Sequence, residues 1–300
     1  MRKMKVAVFG ATGVQGHPVL DAALEAGHQV RAVSRDPDSA EERLPGRVEK
    51  VYGDYADRDS LVDALDGVEA LFFHLPMLPS EAGDAVDNLL EAAHRQGVER
   101  IVFSTGAWCG KGMPDIALVD GLRRVSAQVL DSGIDAVVLR PTLYLANLVW
   151  PHLLRELRET GRLSYPPLDH HRRISWTATE DQGAIAAACL HADVVGQTLD
   201  IASPEPVTGP ELCRLLAGVF DREIHFAPET IEEFSNTMTS LSGSAEMGRQ
   251  IADFYAAIDE LPPKGMIVDA SRLADQLGVK LTPVSRWVKR RLGRLLDLYG

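Results

Sequence analysis

Through the first half of the chain, short apolar runs alternate with stretches whose apolar residues return every third or fourth position. Val6-Ala7-Val8-Phe9 is apolar throughout, as in a strand covered on both faces, and places a first strand at Lys5–Phe9. From Val14 the period becomes helical: Val19, Leu20, Ala23 and Leu24 share one face, and Gly27 suits the left-handed residue that closes a helix. The same reading predicts strands over Gln29–Ser34, Val48–Tyr52, Ala70–His74, Arg100–Ser104 and Ala136–Arg140. Helices are expected between them at Asp59–Leu65, Glu81–Arg95 and Ile116–Leu130, the second ending at Gly97 and the third leading to Gly133. Strand and helix alternating in this way is the mark of an α/β fold with a parallel, doubly wound sheet.

Beyond Pro141 the alternation loosens. Helical patterns fall near Leu148–Glu159, Glu180–His191, Gly209–Phe220 and Thr230–Leu241, and strands near Ile174–Thr177, Thr198–Ile201 and Ile224–Ala227. No low-complexity linker or internal repeat intervenes. The expected division is therefore a sheet domain over 1–147 and an incompletely separate α/β substrate region over 148–300, packed on the C-terminal edge of the sheet.

Composition narrows the function classes. The 300 residues are 45% hydrophobic and 25% charged, as in a soluble globular protein, and the formal charge of −12 argues against a nucleic-acid partner. Cys109, Cys189 and Cys213 form no close pair, which fits a reducing cytosol better than a disulfide framework or zinc site. No apolar run is long enough to cross a membrane, and the one after the basic start Met1–Lys5 is too short for a signal peptide. A cytoplasmic protein is expected.

The richest chemistry lies at the end of the first strand. Gly10-Ala11-Thr12-Gly13-Val14-Gln15-Gly16 joins a buried strand to a helix. In such a join Gly10 allows the tight turn, Gly13 the approach of backbone to phosphate, and Gly16 the packing of helix on strand. The unpaired amides and dipole at the helix start complete a cradle for a dinucleotide diphosphate, held by Gly10, Thr12, Gly13, Val14, Gln15 and Gly16.

This turn, together with Val30-Arg31-Ala32-Val33-Ser34-Arg35-Asp36-Pro37, Gly53-Asp54, Ser132-Gly133, Leu139-Arg140-Pro141, Tyr144, Asn147 and the block from Glu180-Asp181 to Ile201, resembles the NmrA-like branch of the atypical short-chain dehydrogenase/reductases. The resemblance covers most of the chain. It implies a Rossmann-type domain that binds NAD(P)H, in reductases of quinones, imines or carbonyl compounds or in non-catalytic redox sensors. It also implies that Asp54 meets the adenine edge and that Tyr55 stacks on or walls the ring. His74-Leu75-Pro76 should pass under the ribose through its backbone, with the His74 side chain part of the wall. Ser104-Thr105-Gly106 and Pro141-Thr142-Leu143, at the ends of strands five and six, should face the nicotinamide.

At the end of strand two, where an NAD site usually places a carboxylate, stand Ser34 and Arg35. A guanidinium pairs with a 2′-phosphate that a carboxylate would repel, so NADP(H) is favoured, while Asp36 keeps NAD(H) open. The family's catalytic Tyr and Lys sit four residues apart on the helix after strand five. Counted back from Ser132-Gly133, their positions hold Leu118 and Leu122. Substitute proton donors are Tyr144, Lys111 and the histidines of Asp169-His170-His171. Tyr144 is the best placed, although a buried phenol bonded to backbone accounts for it more simply, and Lys111 reads as a surface charge. No third ligand at workable spacing supports a metal at the two histidines.

Trp108, Trp150 and Trp176 either line an apolar substrate pocket or fill the core. The basic run Arg286–Gly300 reads as a helix packing its apolar face on its own domain. The expected function is an NADPH-dependent reductase of a small or medium organic molecule, with an NADP(H) sensor acting through a protein partner as the alternative. A binding module for some other metabolite fits the glycine turn poorly.

Overall fold

The computed structural model describes residues 2–75 and 82–295. In chain order its first part comprises β1 (Lys5–Phe9), α1 (Gly16–Glu25), β2 (Gln29–Ser34), α2 (Pro37–Arg43), β3 (Glu49–Tyr52), α3 (Arg58–Ala64) and β4 (Ala70–His74), then α4 (Gly83–Arg95), β5 (Arg100–Ser104), α5 (Ala117–Leu130) and β6 (Asp135–Pro141). After these come β7 (Leu143–Tyr144), α6 (Pro151–Glu159), β8 (Arg162–Leu163), β9 (Trp176–Thr177), α7 (Thr179–Cys189) and β10 (Gln197–Ile201). The last elements are α8 (Gly209–Phe220), β11 (His225–Phe226), α9 (Ile231–Ser242), α10 (Ala245–Glu260), α11 (Ser271–Leu277) and α12 (Val284–Trp287).

Seven strands make one parallel sheet in the order β10-β6-β5-β4-β1-β2-β3, the doubly wound α/β fold the alternation predicts. Side chains alternate along each strand, so the two apolar faces are read from odd and even positions. Ala7, Phe9, Leu71, Phe73, Ile101 and Phe103 pack beneath α3, α4 and α5, while Val6, Val8, Phe72 and Val102 pack beneath α1 and α7. Phe72, Phe73 and Phe103 are fully buried, each contributing roughly 1.5–3 kcal/mol by leaving water. In β1 and β4, Val8 pairs with Phe72; carried two residues further, the register sets Gly10 beside His74.

Residues 179–201 complete this sheet from far along the chain. β10 pairs with β6 from Gln197–Val137 to Ile201–Pro141, and α7 lies along α1. A Cβ at Gly183 would meet the Pro18 Cβ at 3.0 Å, so glycine there lets the two helices close. The rest of the second half builds its own core around Leu148, Leu157, Tyr165, Trp176, Leu216, Phe234, Tyr255 and Trp287. Asp181 ties it to the sheet, its carboxylate accepting from the Thr282 amide and hydroxyl at 2.7 Å each.

Several boundaries differ from expectation. The helix foreseen over Leu148–Glu159 divides into a 3-10 turn at Leu145–Val149 and α6, because Pro151 lacks the amide needed to continue a helix and instead starts one. The strand expected from Ile174 shortens to β9, leaving Ile174 bridged to Val207. α2 and α10 had no counterpart in the sequence reading; α2 is a short helix led by Pro37 and capped by Asp36. The basic C-terminal run continues α12 as a π-helical turn over Val288–Leu292, with Val288 and Leu292 buried and Lys289, Arg290 and Arg291 exposed.

Candidate cofactor and active site

The glycine turn crosses the C-terminal end of β1. Gly10 has φ +67°, the left-handed region open to glycine, and its carbonyl accepts the Gly13 amide at 2.9 Å. A Cβ at Gly16 would collide with that same carbonyl, so the helix can start here only with glycine. No side chain caps α1; the His17 amide donates to the Gly13 carbonyl at 3.0 Å and Pro18 has no N–H, so the amides open to an anion are those of Val14, Gln15 and Gly16. Gln15, at the capping position, sends its side chain elsewhere, and Val14 is exposed. Arg43 of α2 donates to the Thr12 carbonyl at 3.1 Å, placing on the rim of the turn a cation that the sequence reading had missed.

At the end of β2, Ser34 and Asp36 are occupied locally. The Ser34 hydroxyl accepts the Asp36 amide at 3.0 Å, and the Asp36 carboxylate caps α2 by accepting the Ser39 amide at 3.0 Å. One oxygen of the Asp36 carboxylate is thus engaged in a helix cap. Arg35 is exposed and shares a cleft of ≈ 710 Å³ with Asp54, Tyr55, Arg58 and Asn88. Asp54 accepts the Ala56 amide at 3.0 Å. Tyr55 is buried: its ring stacks on Phe9 at 5.3 Å and its hydroxyl donates to the His74 carbonyl at 3.1 Å. Burial holds its phenol neutral, well above the usual value. Tyr55 thus lines the cleft with its ring backed by Phe9.

β4, β5 and β6 end side by side at the same edge of the sheet as β1. His74 closes β4 with its ring over Gly10, Leu75 follows half-buried, and Pro76 lies outside the described residues. Thr105 is held by the Leu139 carbonyl, which accepts its amide at 2.9 Å, and Gly106 takes φ +71° beside the Gln15 side chain. Pro141 ends β6, the Thr142 hydroxyl meets that of Thr177 at 2.8 Å, and Leu143 pairs with Trp176 in β7–β9.

Tyr144 departs from expectation. Its phenol meets side chains rather than backbone, lying 3.0 Å from Gln15 Oε1 and 2.6 Å from Gln182 Oε1, while the Ser104 hydroxyl donates to Gln182 Oε1 at 3.2 Å. One phenolic proton serves only one acceptor, so one of the two glutamines turns its amide nitrogen to Tyr144. Burial holds this phenol neutral, far above its usual value. Gln182 is fully buried on α7, and its Nε2 has no partner among the described residues. It lay within the block from Glu180 that carries the resemblance, yet nothing in its spacing marked it out.

The remaining candidates disperse. Leu122 is buried and Leu118 packs against the second core, so the positions of the usual Tyr/Lys pair are packing residues. Lys111, His170 and His171 are exposed; His170 lies edge-on to Phe226, and the described residues contain no group of three metal-binding side chains. Trp108 fills space over Gly110 and donates to Asp200 at 3.3 Å; Trp176 is buried, and Trp150 is half-exposed beside Tyr165.

A dinucleotide fits these residues: a glycine cradle that a Cβ would fill, an uncapped helix start, the Arg43 guanidinium on the turn with that of Arg35 after β2, and buried nitrogens at His74 and Gln182 without partners among the described residues. Comparison with known proteins agrees on the fold. The chain is 26% identical over 252 residues to an NAD(P)H azoreductase of Xenophilus azovorans, covering 84% of this chain and 86% of that protein. It is 24% identical over 279 residues to quinone oxidoreductase 2 of Escherichia coli, covering 91% and 93%. The triphenylmethane reductase of Citrobacter sp., crystallised with NADP(H), superposes with a TM-score of 0.78 at 24% identity over 95% of this chain and 99% of that one. The NmrA-like family model matches residues 2–281, and the chain belongs to that family.

Proposed function

We propose that this protein is an NADPH-dependent reductase of a small or medium organic molecule of the quinone, imine or carbonyl class. The observation that carries the reading is the pairing of an uncapped glycine turn with a free guanidinium, Arg35, at the end of β2, where the nearest carboxylate is committed to a helix cap. The turn amides would hold the diphosphate, with Arg35 on the 2′-phosphate and Asp54 at the adenine edge. Ser104–Gly106 and Pro141–Leu143 would face the nicotinamide. The bound cofactor supplies the hydride. Around it, the buried Tyr144 and Gln182 and the half-buried Gln15 would fix the floor and exclude water. Burial keeps Tyr144 protonated and bonded to the two glutamines, so it is the candidate donor within the site; otherwise the proton at the reduced atom comes from solvent or from the substrate itself.

Leu118 and Leu122 favour a second reading, an NADP(H) sensor read by a protein partner, because the usual proton-donating pair is absent. The deciding measurement is NADPH absorbance against a panel of quinones, imines and carbonyl compounds. Substrate-dependent consumption supports the reductase. No consumption across the panel, with tenfold or greater discrimination between NADP+ and NADPH in binding, replaces it with the sensor.

A further inference from the structure

Both imidazole nitrogens of His74, Nδ1 and Nε2, are buried without a hydrogen-bond partner among the described residues. A neutral imidazole carries one donor and one acceptor, and native interiors leave few such groups unpaired. His74 is also not a free packing choice. It stands beside Gly10 across the β1–β4 pair, and a Cβ at Gly10 would lie 2.5 Å from its Nε2. Gly10 therefore has two reasons to be glycine: its φ of +67° and the ring lying against it. A buried imidazole whose nitrogens have no close partner among the described residues, pressed against a turn suited to an anion, is placed to meet a ligand.

We propose that the His74 side chain is a direct ligand of the dinucleotide diphosphate and takes up a proton from solvent as the anion binds. The proposal rests on the dinucleotide reading above. Without ligand, burial holds His74 neutral, below its ordinary range, with the Leu75 backbone pulling weakly the other way. Among the described residues, the elements around it offer no competing counter-ion. From β1 it meets Gly10; from β5, Ser104 pairs with it in register; the Tyr55 hydroxyl, itself neutral, bonds its carbonyl; Phe72 lies 6.4 Å away, ring to ring. Charges nearer the rim are otherwise engaged: Arg43 with the Thr12 carbonyl, and His17 with Asp21 and the Ala11 carbonyl. An arriving diphosphate brings the missing negative charge and stabilises the imidazolium. Affinity for the dinucleotide then falls as pH rises through the pKa of the bound state, by up to tenfold per pH unit for one linked proton.

The test reads protons rather than turnover. Calorimetric titration of the wild-type chain and of His74→Gln with NADP+, in two buffers of different ionisation heat, gives the number of protons taken up. The wild type should exceed the variant by up to one proton and should lose affinity more steeply between pH 6 and 8.5. Titration with 2′-AMP, which lacks the diphosphate, should show no such difference. Nitrogen-15 spectra of the histidine side chains in the wild type should show His74 moving to the imidazolium pattern on addition of NADP+, which keeps the proposal testable if His74→Gln fails to fold. Equal proton uptake in both chains, or an unmoved His74 signal, overturns the proposal while leaving the dinucleotide reading intact. Failure of the wild type to bind NADP+ or NADPH at all overturns both.

Discussion

The two ends of the candidate cleft are built by opposite means. At the β1–β2 end the ligand surface is backbone and fixed charge: glycines whose missing Cβ atoms are required by contact, uncapped amides, and guanidinium groups on the rim. At the β5–β6 end it is a network of neutral side chains, in which the Tyr144 phenol meets Gln15 and Gln182, the Ser104 hydroxyl donates to Gln182, and Gln182 Nε2 has no partner among the described residues. On the proposed function, the first end would hold the cofactor's anion whatever the substrate, and the second would set the geometry around the nicotinamide.

The largest expected effect breaks the first end outright. Gly16→Val drives a branched side chain into the Gly10 carbonyl and should cost about 2–4 kcal/mol of stability while lowering NADPH affinity by roughly 100-fold or more. Thermal melts with calorimetric titration measure both; near-normal binding would show that the turn is not the cradle. Arg35→Ala should come next. Loss of a charge-assisted bond to the 2′-phosphate is worth about 2 kcal/mol, roughly thirtyfold in NADPH affinity, with NADH affinity unchanged. An unaltered NADPH/NADH preference would move the choice of cofactor to another residue.

The second end is sharpened by Tyr144→Phe. If Tyr144 only positions Gln15 and Gln182, turnover with a good quinone acceptor should fall by less than about tenfold and keep the shape of its pH profile. A general acid would cost about 100- to 10,000-fold. The smallest effect lies far from the cleft. His28 and His191 face each other at 3.2 Å between their Nε2 atoms, and burial holds both below the ordinary value of 6.5. Folding therefore favours the neutral forms. Their contribution is complete above about pH 6.5 and is lost as pH falls below it, because the unfolded chain then binds protons more readily. Melting temperature should decline on acidification through this window, and less so in His191→Phe.

Much of the molecule was legible because local rules and global fold agree. Val6-Ala7-Val8-Phe9 must be buried on both faces, and the parallel sheet buries it so. The ends of β1, β2, β4 and β5 match the predicted strands residue for residue. Other parts had no local signature. α10 had no counterpart in the sequence reading, although it packs along α9. Tyr55 stood in sequence as a candidate wall, and nothing local signalled that Phe9, from a distant strand, would back its ring.

By itself, the sequence determined the strand order of chemistry: a glycine turn after the first strand, a cation after the second, and no Tyr/Lys pair on the helix after the fifth. These follow from backbone freedom and side-chain charge, which are properties of single residues. Only the tertiary structure decided that Gln182, from a helix that joins the sheet late, sits against Tyr144 and Ser104, and that the His74 ring lies over Gly10. Partnership among buried polar groups depends on which strand ends and helix faces meet in space, and spacing along the chain does not encode that meeting.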